Sequence, residues 1–333
     1  MALRRHRLAV LGGLLALTAL AAVGSVALGS RAISLPDVWN AIFSPGGSEH
    51  DDIIRSLRVP RTAFGLLAGT ALGVAGALVQ GHTRNPLADP GLLGVTQGAA
   101  FAMVLGIFTL GITSPGTYLW FGFAGALIAS ALVFALGGAG RGGATPLTLA
   151  LAGAAVTAML HGMVAGLVLI DQQAMDTYRF WQAGALAGRD SGVLPQLLPF
   201  VLAGLVLAML NATGLNALAL GEDVARSLGH RIPLTRAVGI AAITLLTGAA
   251  VAACGSLAFL GLVVPHLARS LSGPDHRWLL PFSGLIGAAL LLTADVVGRL
   301  VIRPDELEVG IMLALIGGPF FIGLVRRRRL VRL

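Results

Sequence analysis

Residues 211–236 read NATGLNALALGEDVARSLGHRIPLTR, a polar interval between two long apolar runs. Within it, the stretch 218–229 carries Leu218, Leu220, Val224, Ala225 and Leu228 at near-helical spacing and closes on Gly229. That pattern predicts a short amphipathic helix ended by a glycine. The helix needs something outside the flanking runs to pack against.

Outward from this interval the chain is almost wholly apolar. Of its 333 residues, 56% are hydrophobic and 11% charged, and the mean hydropathy is +0.86. Such values exclude a soluble domain of this size and define an all-α polytopic membrane protein, a single transmembrane domain over 1–333. The 46 glycines fit helices that pack in lipid through small residues. Gly65, Gly69 and Gly73, each four apart, line one helical face. Apolar runs fall at about 8–29, 62–80, 92–112, 118–137, 146–170, 194–212, 233–253, 258–270, 278–300 and 307–325, which makes ten spans. The first is read as a retained span and not a cleaved leader, because so many spans follow. The run at 258–270, with Pro265 and His266, has the least definite ends. Between the first two runs, Pro36, Trp39 and Phe43 suggest a short helix at the membrane interface.

Ten spans put both termini on one side. With that side cytoplasmic, Arg4, Arg5, Arg7, Arg84, Arg141, Arg226, Arg231, Arg236, Arg269, Arg277, Arg326–Arg329 and Arg332 are inside, 15 of the 23 basic residues. Arginine bias of this kind sets orientation, and it places the 211–236 interval in the cytoplasm. The same topology explains the sequence pI of 11.3 without any nucleic-acid partner. Lipid is the expected surroundings.

All 23 basic residues are arginine, so a Walker phosphate loop and a Schiff-base enzyme are both excluded. The G-x-G-x-x-G at 138–143 follows no strand and reads as an inter-helix turn. One cysteine, Cys254, excludes an internal disulfide. His82, His161, His230, His266 and His276 are scattered without metal-site spacing, so no metal and no bound cofactor is expected. No run has a carboxylate at its centre; Asp295 lies about six residues from the end of its helix. Ion-driven carriers place ionisable groups at mid-membrane depth, so the driving force is expected from a partner. An ion-coupled secondary transporter is the alternative, and a membrane-embedded enzyme lacks clustered acid, base or metal groups.

Certain blocks carry more specific information: RVPR (58–61), QGHTRNPLADPGLLG (80–94), LALGEDVARSLG (218–229), GSLAFLGLVVPHLARSLSGPDHR (255–277), LLTADVVGR (291–299) and IGGPFF (316–321). Pro60 in the first can start a helix, and the two prolines of the second force a sharp reversal. In order and nearly throughout, these blocks resemble the signature of the FecCD-type permeases. Those are the membrane subunits of ABC importers for ferric siderophores, haem and cobalamin.

The resemblance implies the inverted-repeat, type II ABC importer permease fold and a non-enzymatic subunit in a bacterial plasma membrane. It implies a homodimer or heterodimer of permeases, two cytoplasmic ABC ATPases and an extracytoplasmic substrate-binding protein. Arg58, Arg61 and Arg299 match arginines that receive glutamates of the binding protein. The segment 213–232 matches the coupling segment, with Leu218, Leu220, Gly221, Glu222, Ala225, Arg226, Leu228 and Gly229 toward the ATPase. Thr145 and Thr148 match the cytoplasmic gate, although Pro146 stands where that pattern has a hydroxyl residue. From spacing alone, Asp295 with Arg299 and Glu222 with Arg226 are also simple pairs within one helix.

Overall fold

The computed structural model describes residues 2–31, 33–112, 114–139 and 145–326. Most of the glycine-rich turn at 138–143 and the arginines beyond 326 lie outside the described residues. The described chain is helical, in the order α1 (Ala2–Ala27), α2 (Leu35–Phe43), α3 (Glu49–Asp52), α4 (Val59–Thr83), α5 (Val95–Leu110), α6 (Pro115–Gly138), α7 (Pro146–Ile170), α8 (Gln172–Ala183), α9 (Leu194–Ala219), α10 (Glu222–Ser227), α11 (Ile232–Cys254), α12 (Leu260–Ser272), α13 (His276–Val301) and α14 (Val309–Arg326). A π turn, Ile53–Arg58, leads without a break into α4.

Each of the ten apolar runs lies on a helix. Among the described residues, seven helices are long and apolar enough to cross a bilayer, while Val95–Leu110 and Val309–Leu324 are shorter. The run at 258–270 differs from expectation. Its helix, α12, has only 13 residues, about 20 Å of rise against a hydrocarbon core of about 30 Å. It begins after Gly255 and Phe259, both at positive φ. The irregular backbone between them is covered by protein at Gly255 and Leu257, where Ser256 N–H donates to the Trp181 carbonyl at 3.3 Å. Non-helical backbone at membrane depth survives where protein covers it in this way.

At the centre stand α4, α11 and α13. The apolar window of the helix containing α4 is 83% buried, against 11% for α1. Close approach of backbones builds this centre. A Cβ on Gly69 would stand 2.6 Å from the Gly287 carbonyl oxygen, and one on Gly73 2.2 Å from that of Ser283. The glycine face read from the sequence is therefore the surface on which α13 lies, and contact at that distance supplies dispersion that larger side chains would forbid.

The reversal after α4 follows its prolines. Arg84 ends the helix at φ +48°, Asp89 Oδ1 accepts from Gly91 N–H at 2.8 Å, and a 3-10 turn over Pro90–Leu93 precedes α5. In α2, Ser34 caps the N-terminus and Trp39 and Phe43 pack together on an exposed face, as expected of an interfacial helix.

Candidate functional site

The 211–236 interval folds as a bracket with an exposed tip. Leu218 belongs to the last turn of α9, and the chain turns at Leu220 and Gly221 (φ +112°) before α10 begins at Glu222. One continuous helix over 218–229 is thus corrected to a helix end, a turn and a six-residue helix. The physical reason is Gly221, whose backbone conformation breaks the apolar periodicity into two pieces. Leu218 and Ala225 pack inward with Ala217 and Ile232. Leu220, Val224 and Leu228 stay 65%, 43% and 60% exposed, forming an apolar face without an internal partner. Gly229, at φ +84°, closes α10 as expected: its N–H donates to the Arg226 carbonyl and His230 N–H to that of Ala225, a Schellman pair.

Ion pairs fix the bracket's base. Arg226 reaches Glu222 at 3.3 Å and Asp223 at 3.0 Å, so the pair within α10 is present. Arg236 of α11 holds the other Glu222 oxygen at 2.5 Å. Further bonds were not legible in the sequence. Arg84 Nη2 donates to the Leu218 carbonyl at 2.7 Å, tying the loop after α4 to the end of α9. Asn216 Nδ2 donates to Asp275 at 2.7 Å and its oxygen accepts from His276 N–H at 2.9 Å, tying α9 to α13. These bonds join the adjacent ends of α4, α9, α11 and α13 beside α10.

At the opposite end, the three arginines singled out in the sequence come together around the C-terminus of α1. Arg58 Nη1 donates to the carbonyls of Val26 (3.0 Å) and Ala27 (2.7 Å), and Nη2 to that of Arg31 (2.5 Å). Arg299 donates to the carbonyls of Ser25 (3.0 Å) and Leu28 (2.9 Å). These are acceptors that a helix end leaves unmade, and buried carbonyls need partners. Arg299 also pairs with Asp295 at 3.0 Å, the i,i+4 contact its spacing allowed; both side chains are buried, so the pair is internal and not at a rim. Arg61 meets the same Asp295 at 2.8 Å and Glu306 at 2.5 Å. Nearby, Asp51 caps its own loop, accepting from the N–H groups of Gly46 and Ser48 at 2.9 Å each. A cavity of about 260 Å³ opens beside the cluster, lined in part by Arg58, Arg61, Arg189, Arg299 and Glu306. Arg189 and Glu306 carried no signal in the sequence, since both lie in loops without periodicity.

Thr145 and Thr148 form a capping box at the start of α7, with Thr148 N–H on Thr145 Oγ1 at 3.2 Å and Thr145 N–H on Thr148 Oγ1 at 2.9 Å. Pro146 takes the first helical position, where its missing N–H costs nothing. Both hydroxyls are thus engaged locally. Among the described residues no group of three or more His, Cys, Asp or Glu side chains is placed to hold a metal ion.

This architecture, a bundle of long apolar helices with an exposed apolar bracket at one end and a carbonyl-capping arginine cluster at the other, is that of a polytopic membrane protein. Comparison with known proteins gives the class a family. The FecCD transport family matches residues 16–327, and the chain belongs to it. The ferric enterobactin transport system permease protein FepD of Escherichia coli (strain K12) is 46% identical over 95% of this chain and 94% of its own length. The hemin transport system permease protein HmuU of Yersinia pestis is 37% identical over 96% of each. A solved structure described as an inward-facing conformation of a metal-chelate type ABC transporter superposes with a TM-score of 0.83 at 30% identity, covering 96% of this chain and 99% of that one. The chain is a permease subunit of an ABC transporter, a multi-pass protein of the membrane.

Proposed function

We propose that this permease imports an iron chelate, a ferric siderophore or haem, delivered by an extracytoplasmic substrate-binding protein and driven by two ABC ATPases. The observation that carries the coupling is the bracket at 213–232, where Leu220, Val224 and Leu228 are exposed on a base held by Glu222, Arg226 and Arg236. An apolar face of that kind, small and rimmed by charge, suits a groove on another protein. In this reading Gly221 and Gly229 set the bracket's shape, and Leu218 and Ala225 its floor. The α10 end faces the cytoplasm with both termini, in a bacterial inner membrane, as the arginine bias supports.

A second permease subunit, identical or homologous, completes the pathway along their interface, and Thr145 and Thr148 border its cytoplasmic narrowing. Opposite, Arg58 and Arg299 lie buried against the α1 end and add positive charge from within, and Arg61, beside the partly exposed Glu306, is the one of the three that meets carboxylates of the binding protein, with charge complementarity setting docking rate and register. ATP binding and hydrolysis move the bracket as a rigid body and alternate access between the two ends. The chain itself contributes no reaction chemistry.

The test is uptake of radio-iron chelates into proteoliposomes, comparing ferric enterobactin, a ferric hydroxamate and haemin. Accumulation is expected only when the ATPase, ATP and the binding protein are all supplied. Accumulation driven by a proton or sodium gradient with no ATPase present would favour the secondary transporter and end this reading.

A further inference from the structure

In the arginine cluster, Arg61 alone among the three is shared between a buried and an accessible carboxylate. Its Nε and Nη2 hold Asp295 at 2.8–3.1 Å, and the Asp295 side chain is 0% exposed. Its Nη1 holds Glu306 at 2.5 Å, and that side chain is 31% exposed. The other Glu306 oxygen accepts from Ser30 Oγ at 2.9 Å. Glu306 therefore helps pin the loop between α13 and α14 to the loop after α1, alongside Arg303, which donates to the Gly29 carbonyl at 3.0 Å, beside the cavity lined by Arg58, Arg189 and Arg299.

The other two arginines cannot exchange partners so cheaply. Arg58 and Arg299 are occupied by backbone carbonyls of the α1 end, and withdrawing them would leave buried acceptors unmade. Glu306 can leave: its side chain is already about a third exposed, and its departure strands no buried group if another carboxylate takes its place. Burial pushes the Glu306 carboxyl up, but the Arg61 bond and charge, Ser30 and Arg299 outweigh it and hold the group below the usual glutamate range. It is thus an anion at neutral pH.

We infer that Glu306 is an internal stand-in for the docking partner's carboxylate, occupying Arg61 in the free permease and displaced when an acidic side chain of the binding protein arrives. This rests on the docking role given above to the arginine surface. The exchange keeps Arg61 neutralised in both states, so the buried Asp295 pair is undisturbed while the surface contact turns over. It also makes affinity tunable, since the partner binds only the fraction of permease whose Arg61 edge is free. Release of Glu306 frees the 302–308 loop from Ser30, and that loop leads directly into α14.

The experiment titrates the fluorescent cognate binding protein onto the permease–ATPase complex in lipid nanodiscs. Glu306→Gln is expected to tighten docking by about three- to fivefold, the scale of one exposed ion pair, whereas Glu306→Asp, which keeps the competing charge, stays near wild type. Should Glu306→Gln prove poorly folded, Ser30→Ala removes only the hydroxyl on the carboxylate and is expected to tighten docking by a smaller factor. Unchanged or weaker docking in these variants overturns the inference. Arg61→Glu separates it from the docking reading: if Arg61→Glu leaves docking intact, the docking role itself fails, and if it weakens docking while Glu306→Gln does not tighten it, only the stand-in role is lost.

Discussion

Arg61 and Asp295, 234 positions apart in sequence, meet through three guanidinium–carboxylate contacts of 2.8–3.1 Å and join the start of α4 to the last third of α13. Asp295 also receives Arg299 at 3.0 Å, so one buried carboxylate balances two buried cations. A charge in this position holds its neighbours in place whatever the pair contributes to net stability.

Replacing it exposes that dependence. Asp295→Ala leaves the buried Arg299 without its carboxylate and Arg61 with Glu306 alone, and is expected to cost about 3–5 kcal/mol. Thermal unfolding of the detergent-purified protein should show the loss, and an unchanged midpoint would refute the balancing role.

The bracket gives a paired prediction. On the proposed coupling role, Leu228→Asp removes roughly 1.5–3 kcal/mol of apolar burial from the docked face, so the complex with the ATPase should weaken tenfold or more while the permease alone melts normally. Leu218→Asp, at a position 4% exposed, should instead lower the permease's own melting point. Copurification of the ATPase beside thermal unfolding distinguishes the two, and identical behaviour of both variants would mean that the bracket has no separate inner and outer face.

The α4–α13 crossing predicts a steric effect. Gly73→Ala places a methyl group 2.2 Å from the Ser283 carbonyl oxygen, which can yield only by separating the helices, at about 1–3 kcal/mol. Gly12→Ala, on α1 with nothing within 4 Å of the new Cβ, should be silent in the same unfolding assay.

Asp275 predicts a pH dependence. Burial raises its pKa, but the Asn216 hydrogen bond, the Arg277 N–H and the charges of Arg7 and Arg277 outweigh this and leave it below the ordinary value of 3.8. A depressed carboxylate adds stability that is fully present above its unfolded pKa and disappears as pH falls through the folded one. Melting followed downward from pH 6 should therefore lose an acid-sensitive component below about pH 4 that is missing in Asp275→Asn. If the two acid limbs coincide, Asp275 contributes no such term.

Much of the fold could be read from the sequence because lipid imposes long apolar runs and glycine faces directly. Gly65, Gly69 and Gly73 announced a helix contact, and Gly229 announced the end of α10. What stayed hidden was whether an apolar residue faces lipid or protein, since both select the same side chains; hence the run at 258–270 looked like a full span when it is a short helix behind irregular backbone. Leu218 looked like part of α10 because apolar spacing does not register the turn at Gly221. Spacing showed the Asp295–Arg299 pair, but the carbonyl partners of Arg58 and Arg299 were illegible for a further reason: every residue possesses a backbone carbonyl, and no sequence marks it. Glu306 reached Arg61 only through a fold that brings loops from the two ends of the chain together.

The arginine caps have a consequence for movement. Arg299 of α13 grips the final turn of α1, while Arg7 near its start reaches Asp275 at 3.6 Å and lies over the Trp278 ring at the beginning of α13. The two antiparallel helices are riveted at both tips. Whatever rocks during a transport cycle must carry this pair as a single plank, so that spin labels placed one on each should keep a fixed separation while distances to the rest of the bundle change.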